Sequence, residues 1–390
     1  MKRFIKMLGT GVFTLTMATP SYAALTSVPI GLASNFTEPS PSSSNPYGDY
    51  FRNGVGLALS DSEARLAKRG LKIDFQEFDY GNTQIRALDA AKKASASSVI
   101  GVLGYNLSSN ALLAAPVHQE AKLPMLTPSA SADRIGRMGA FVHSASFDDS
   151  FMGRTLAKVA RDRIHAKSAA IVVAADCAYC QDLARAFEEK FRALGGSVTV
   201  RSEVLEGDTD FSQTVTALKK ADFDVVLVPN QGFNPPRLIE ALLKAGIHKP
   251  CLGGDGWGDS GKYFFDLIGR EEFKGFSVSH WHPDLTRPRS QRFMKAFTTR
   301  FGKPPNDTAV LAYDATLLMV EAILSAQTLT RQGLENSFNA IHQFEGVTGD
   351  FRFRAGAAPA KSLVLLTADK AKKNFKLVGT ISPLGKETIQ

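Results

Sequence analysis

The chain has 390 residues, 44% of them hydrophobic and 22% charged, with 46 Lys and Arg against 38 Asp and Glu for a net charge of +8. One hydrophobic core rarely organises more than about 250 to 300 residues, so two domains are expected. The cations are scattered among acids with no clustered basic face, which argues against a nucleic-acid partner.

Lys2, Arg3 and Lys6 precede an apolar run over residues 7–17, followed by Thr19, Pro20, Ser21, Tyr22 and Ala23. This is the pattern of a secretory signal peptide, residues 1–23, cut before Ala24. The run is about half of the ~20 apolar residues that a bilayer span needs. No cysteine stands near the cut to carry a lipid, and no later uncharged apolar stretch is long enough to span a bilayer. A free periplasmic chain is expected, of about 367 residues with a charge near +5.

Short β-branched runs then alternate with amphipathic stretches of about ten to fifteen residues, the pattern of βα units on a parallel sheet. Residues 28–33 read as the first strand. A Ser/Pro-rich loop over 37–46 leads to a helix near Asp49 with Phe51, Val55, Ala58 and Leu59 on one face. A strand over 71–78 and a helix over 83–93 follow, with Ile85 and Leu88 inward. The third unit is a strand over 99–103 and a helix over 109–121 closed by Pro124. Residues 125–127 form another strand, and 128–133 turn the chain.

Beyond Phe147 the pattern starts afresh. Helices are predicted over 150–163, 181–194, 236–245, 290–301 and 308–324, and strands over 169–174, 198–204, 225–228, 251–253 and 276–279. Asp208 and Asp210 precede a helix carrying Phe211, Val215 and Leu218 inward, where acids suit the positive end of the dipole. The section from Phe351 onward is strand-rich. Two successive α/β lobes imply a cleft between them, and open parallel sheets bind ligands beyond the carboxyl ends of their strands.

The strand-to-helix turns therefore carry the candidates. After the third strand the chain reads Gly104-Tyr105-Asn106-Leu107-Ser108-Ser109, which places Ser108 beside the free N–H groups of a helix start, where an anion is favoured. A plain N-cap is the alternative use of such a serine. One unit later, Thr127-Pro128-Ser129-Ala130-Ser131 offers hydroxyls and backbone groups, or merely a turn. The second lobe has Gly253-Gly254-Asp255-Gly256-Trp257-Gly258, in which Asp255 either meets a ligand ammonium or is a solvated turn acid. Its glycines lack the spacing of a dinucleotide fingerprint.

Cys177 and Cys180 bracket Tyr179 between a strand and a helix. An oxidising compartment permits a disulfide there, and the spacing also suits a secreted oxidoreductase. The chain has no Gly-x-Ser-x-Gly elbow, no His-Glu-x-x-His helix and no Walker loop, so no catalytic residue is assigned. His280 and His282 flank Trp281 and read as surface residues rather than metal ligands. No cofactor or metal is expected.

These positions also carry a resemblance. The mature chain is similar to the type I periplasmic solute-binding proteins of the leucine/isoleucine/valine-binding group, which feed ABC importers. The similarity rests on Ile30-Gly31-Leu32, Tyr47-Gly48, Val99-Ile100-Gly101, the run from Leu123 to Ser129, Gly207-Asp208-Thr209-Asp210-Phe211, Leu252-Gly253-Gly254-Asp255-Gly256 and Ala312-Tyr313-Asp314-Ala315, in that order. The resemblance implies two Rossmann-like α/β lobes with parallel sheets, joined by three crossings. The first lobe would comprise residues 24–146 and 279–348, and the second 147–278 and 349–390.

By the same resemblance, Ser108 and Ser131 hold an amino acid's carboxylate and ammonium, Ser129 adds backbone, Asp255 pairs with the ammonium and Tyr179 closes over the ligand. Tyr47, Tyr105 and Trp257 complete the expected ligand set. The family's tyrosine on the loop after Val228 is replaced here by Gln231 and Phe233, in a register the sequence leaves open. Its Asp-Asp stretch after the second strand is here Phe78-Asp79-Tyr80-Gly81-Asn82, and cysteines on both sides of Tyr179 are a further departure. The implied function is capture of a small branched-chain or aliphatic amino acid by a monomer that docks on an inner-membrane permease. An amide, an aromatic acid or another solute, bound for sensing or for another transporter, is the alternative.

Overall fold

In the computed structural model, residues 24–37, 47–81, 83–260, 263–268, 273–354, 356–369 and 371–389 are described; the expected signal peptide lies outside them. The chain opens with β1 (Thr26–Ser34), α1 (Tyr47–Lys68), β2 (Leu71–Asp79), α2 (Gln84–Ala96), β3 (Gly101–Gly104), α3 (Ser108–Glu120), β4 (Met125–Thr127) and β5 (Val142–Ser144). Its five strands form one parallel sheet in the order β2-β1-β3-β4-β5. Val28, Ile30, Leu32 and Ala33 are all buried, so β1 is covered on both faces, as a central parallel strand must be.

The second sheet follows through α4 (Asp149–Asp162), β6 (Ser168–Ala174), α5 (Ala178–Ala193), β7 (Ser197–Val204), α6 (Ser212–Lys219), β8 (Val225–Leu227), α7 (Asn234–Lys244), β9 (Cys251–Gly253), α8 (Tyr263–Ile268) and β10 (Gly275–Ser279). The chain then supplies α9 (Pro288–Phe301), α10 (Asp307–Ser325) and α11 (Arg331–Ala340), a small ribbon of β11 (Gln343–Glu345) and β12 (Asp350–Arg352), and finally β13 (Leu363–Asp369), β14 (Asn374–Ile381) and β15 (Glu387–Ile389). The eight-stranded order is β15-β14-β13-β10-β9-β8-β6-β7. The expected parallel sheet is present as β10-β9-β8-β6-β7, and the strand-rich tail extends its edge: β13 pairs antiparallel with β10, and β14 and β15 continue as antiparallel hairpins. The short connections from β13 to β14 and from β14 to β15 permit only that direction between them.

One helix face also differs from the expectation. Ile85 of α2 is 70% exposed, while Ala87, Ala90, Ala91 and Ala94 face inward. Small side chains on that face let α2 pack closely beside α3, and the larger residues are left to the outside.

The late helices return to the first sheet. α10 is long and apolar enough to cross a membrane by composition, but most of it is buried against α1 and α11. Gly54 of α1 allows the approach, since a Cβ there would lie 2.2 Å from the Ala309 carbonyl oxygen. The chain passes between the sheets over residues 145–148, 280–287 and 353–362. An apolar cluster including Leu57, Phe293, Phe297, Val310, Val364 and Leu366 joins α1, α9 and α10 to β13.

A buried ion network lies beside the third passage. Asp314 accepts from the Val347 and Thr348 amides at 2.7 and 2.8 Å and from the Thr348 hydroxyl at 2.7 Å. Lys361, fully buried, donates to that hydroxyl at 2.8 Å and sits 4.5 Å over the Phe351 ring. Burial pushes the Lys361 ammonium down to about 8, with Asp314 opposing the shift.

Candidate functional site

The first wall of the cleft is built from two turns of the first sheet. Gly104, at φ 155°, ends β3 where a Cβ would lie 2.0 Å from the Ala33 carbonyl oxygen, so only glycine fits. The chain then enters α3 at Ser108, whose Oγ accepts from the Ser131 and Ala132 amides at 3.1 Å each. Thr127 Oγ1 donates to the Tyr105 carbonyl at 3.0 Å and accepts from the Ala130 amide at 3.2 Å. Ser129 Oγ donates to the Asn106 carbonyl at 2.8 Å. These bonds hold the turns after β3 and β4 as one unit that presents hydroxyls and amides. The two amides converging on Ser108 Oγ have the geometry that would serve a carboxylate oxygen.

The second wall comes from α5 and the turn after β9. Tyr179 accepts from the Gly256 amide at 3.2 Å through its hydroxyl, and a Cβ on Gly254 would lie 2.1 Å from that oxygen. Asp255 follows, its Oδ2 3.1 Å from His280 Nε2 but out of hydrogen-bond alignment, and its Oδ1 has no partner. His280 stacks on Phe147 at 4.0 Å, and burial pushes its imidazole down to about 4. Gln231 donates to Glu206 and turns its remaining surface to the cleft.

Between the walls lies a cleft with about 50 Å³ of accessible space, against the roughly 10 to 15 Å³ that one water needs. Ser108, Ser129, Ser131, Tyr179 and Asp255 all line it, so the structure brings five of the sequence-derived residues together. Asn106, Leu107, Gln231, Asp259, Asp307, Thr308 and Leu311 line it as well. Sequence reasoning missed Asp307, Thr308 and Leu311 because they start a helix some 50 residues after Asp255 and reach the cleft only when the chain returns to the first sheet. Burial pushes the Asp307 carboxyl up to about 7, and Ser279 donates to it. The open register after β8 is decided in favour of Gln231, since Phe233 packs on Tyr263 and Arg237.

Two expectations are corrected. Tyr105 is fully buried in the first lobe, with its hydroxyl 3.0 Å from His118 Nε2 and its ring stacked on Tyr80 at 5.9 Å. Its φ of 58° turns the side chain into the helix layer instead of the cleft. Trp257 is likewise buried, donating to the Val228 carbonyl at 2.9 Å and packing on Phe264 at 5.1 Å, so it supports the Asp255 turn from below. Tyr47 starts α1, and its side chain lies outside the described residues. His280 and His282, read as surface residues, are both buried, and His282 Nε2 lies 3.0 Å from the Phe375 carbonyl oxygen.

Cys177 and Cys180 are joined in a disulfide with a Cα separation of 5.2 Å, and Cys177 Sγ also accepts from the Cys180 amide. This ties the first turn of α5, which carries Tyr179. Glu206 completes a group with metal-ligand atoms within 4.8 Å, but the bonded sulfurs offer no thiolate. The lobes are also bonded to each other at the cleft's edge. Asp133 of the first lobe accepts from the Ser150 amide at 3.0 Å and from Arg185 at 2.8 Å, and its own amide donates to Asp182 at 3.3 Å.

The Leu/Ile/Val-binding protein of Escherichia coli K12 is 26% identical over 213 residues, which is 54% of this chain and 57% of that protein, so the chain spans little more than half the length of this curated relative. The leucine binding protein LivK of Thermotoga maritima superposes with a TM-score of 0.83 at 23% identity, covering 91% of this chain and 99% of that one. A solute binding protein of R. palustris in complex with benzoate superposes at 0.78 and 21% identity, covering 94% and 98%. The model of the periplasmic binding proteins matches residues 27–373, nearly the whole described chain, and with the two-lobed fold and the cleft between its sheets this chain belongs to that family of binding proteins rather than to an enzyme family.

Proposed function

We propose that the chain is the exported substrate-binding component of an ABC importer and captures a small amino acid by closure of its two lobes. The passages at 145–148, 280–287 and 353–362 act as the hinge, joining a first lobe of residues 24–146 and 279–348 to a second of 147–278 and 349–390. The ligand carboxylate takes the place of Ser108 Oγ on the Ser131 and Ala132 amides, and the Ser108 hydroxyl turns to donate to it. The ammonium lies against Asp255, whose Oδ1 lacks a partner, with Ser131 and the Ser129 backbone beside it. Tyr179 covers the ligand from the second lobe. The observation that carries this reading is that an amide pair in one wall and a half-satisfied carboxylate in the other line the same small gap. The disulfide acts as a structural tie of the Tyr179 turn.

The named relatives make leucine, isoleucine and valine the first candidates, but only Leu107 and Leu311 are aliphatic among the lining residues. The benzoate complex of the R. palustris protein keeps an aromatic acid as the second reading. A thermal-shift screen across amino acids, amides and aromatic acids separates them. A ligand at 100 times its dissociation constant adds about 2.7 kcal/mol of stability. Stabilisation by free α-amino acids and not by their N-acetyl forms supports the proposal. Stabilisation by benzoate alone overturns it.

A further inference from the structure

A second cavity, in the second lobe, shares no lining residue with the cleft. It runs along one stripe of α4, where Phe151, Arg154, Lys158 and Asp162 recur three and four residues apart. Lys190, near the end of α5, and the turn joining β14 to β15 close it from the other sides. Its accessible space is about 220 Å³, against about 50 Å³ in the cleft.

Four cations line this groove, Arg154, Lys158, Arg163 and Lys190, against the two carboxylates of Asp162 and Glu387, which leaves two positive charges over. Arg163 is bonded to Glu387, and Arg154 reaches only Asp148, at 3.9 Å and so beyond hydrogen-bond distance. The side chains of Lys158 and Lys190 have neither hydrogen bond nor ion pair among the described residues. Lys158 nevertheless lies across the groove, since its Nζ would be 2.7 Å from a Cβ on Gly385 in the opposite turn. Hydrated surface cations alone would mean little. Here they surround a cavity whose wall is apolar: Phe151, Val159 and Ile381 line it, and Leu384, at its rim, is 87% exposed. Apolar surface left in water beside a cavity gains by being covered.

We infer that this groove is a second binding site, for a small phosphomonoester with a compact apolar body. A phosphomonoester carries close to two negative charges at neutral pH and offers three strong acceptor oxygens. Its charge matches the excess in the groove, and its oxygens suffice for Lys158, Lys190 and Arg154, whose guanidinium fork suits a phosphate in particular. The apolar body covers Leu384 and rests on Phe151 and Val159. The cleft, lined by Asp255, Asp259 and Asp307 and by no Lys, Arg or His, would repel such a dianion. The inference therefore stands apart from the amino-acid reading and does not depend on which solute the cleft takes.

The test is titration calorimetry of phenyl phosphate into the full mature chain, with a dissociation constant of about 1 mM or lower expected. Inorganic phosphate, which brings the charge without the ring, should bind at least about tenfold more weakly. Replacing both lysines together, Lys158→Gln with Lys190→Gln, should weaken phenyl phosphate at least about tenfold, and Lys158→Arg with Lys190→Arg should retain it. Neither lysine lines the cleft, so a loss in the glutamine pair places the ligand in the groove. Should that pair fail to fold, Lys190→Gln alone should cost about threefold. Absence of binding, affinity that survives in the glutamine variants, or equal binding of inorganic phosphate overturns the inference. Sedimentation of the chain with vesicles containing a lipid phosphomonoester, where phenyl phosphate does not bind, overturns it as well and assigns the groove to a membrane surface.

Discussion

Two sets of ionisable groups are removed from water in this protein, one beside the third passage between the lobes and one in the cleft. Beside the passage, Asp314 receives three hydrogen bonds and faces Lys361, which is bonded in turn to Thr348 and lies over Phe351. At the cleft, Asp255 has one oxygen unpartnered, and the buried His280 beside it lacks an aligned partner for either nitrogen. The first set is complete within the chain and so fixes the fold. The second is complete only with something added. Asp314 and Lys361 are fully buried while Asp255 keeps 17% of its side-chain surface exposed, and hydrogen-bond satisfaction together with that exposure separates the structural charges from the binding one.

Removing one member of the complete set should have the largest effect. Asp314→Ala leaves Lys361 buried without its counter-charge and should lower unfolding stability by about 3 to 5 kcal/mol, measured by urea denaturation. A loss under about 1 kcal/mol would place this network outside the framework. In the cleft the same operation should spare the fold and strike binding. Asp255→Ala should weaken amino-acid affinity by at least about a hundredfold, or roughly 3 kcal/mol, because the ammonium would be desolvated without a partner. Unchanged affinity by calorimetry would reject the role given to Asp255.

The disulfide beside Tyr179 sharpens the contrast from the covalent side. It closes a loop of only four residues, so the chain-entropy estimate of its contribution is about 2 kcal/mol. Replacing both cysteines by serine should lower the denaturation midpoint by no more than that equivalent and leave the fold intact. Collapse of the second lobe would mean that the tie is structural in a stronger sense.

Over the first unit below neutrality the smallest effect is expected of pH, and it grows as acid is added. His118 is buried beside Tyr105, and burial holds its imidazole at about 3 in the folded chain against 6.5 as its ordinary value. The unfolded chain therefore takes up a proton first as pH falls, so this contribution is present above pH 6.5 and is lost progressively towards pH 3, at about 1.4 kcal/mol per pH unit. His280 acts in the same sense down to about 4. His118→Gln should flatten the acid limb of stability between pH 6 and 4 by about one proton's slope. A parallel limb would show that His118 is protonated inside the fold.

Much of this was legible along the chain. Period-two and period-three-to-four patterns placed most strands and helices, because burial of one face leaves that imprint in neighbouring residues. The small β5, α8 and α11 were not anticipated, since three to ten residues carry too little periodicity. Ser108, Ser129, Ser131, Tyr179 and Asp255 could be picked out because strand-to-helix turns of open α/β sheets are where ligands meet the fold. Tyr105 and Trp257 were misplaced: they share those turns, but a side chain's direction depends on a backbone angle and on neighbours remote in sequence.

The sequence by itself determined that there would be two α/β lobes, where their turns would lie and which hydroxyls and acids those turns would offer, because these follow from local periodicity and turn chemistry. Only the tertiary structure decided that Asp307 and Leu311 join the cleft, that Asp255 keeps an unpartnered oxygen there and that Asp314 and Lys361 complete each other. Those facts depend on which distant segments exclude water together. Desolvation and hydrogen-bond satisfaction belong to the folded arrangement and are written in no single stretch of chain.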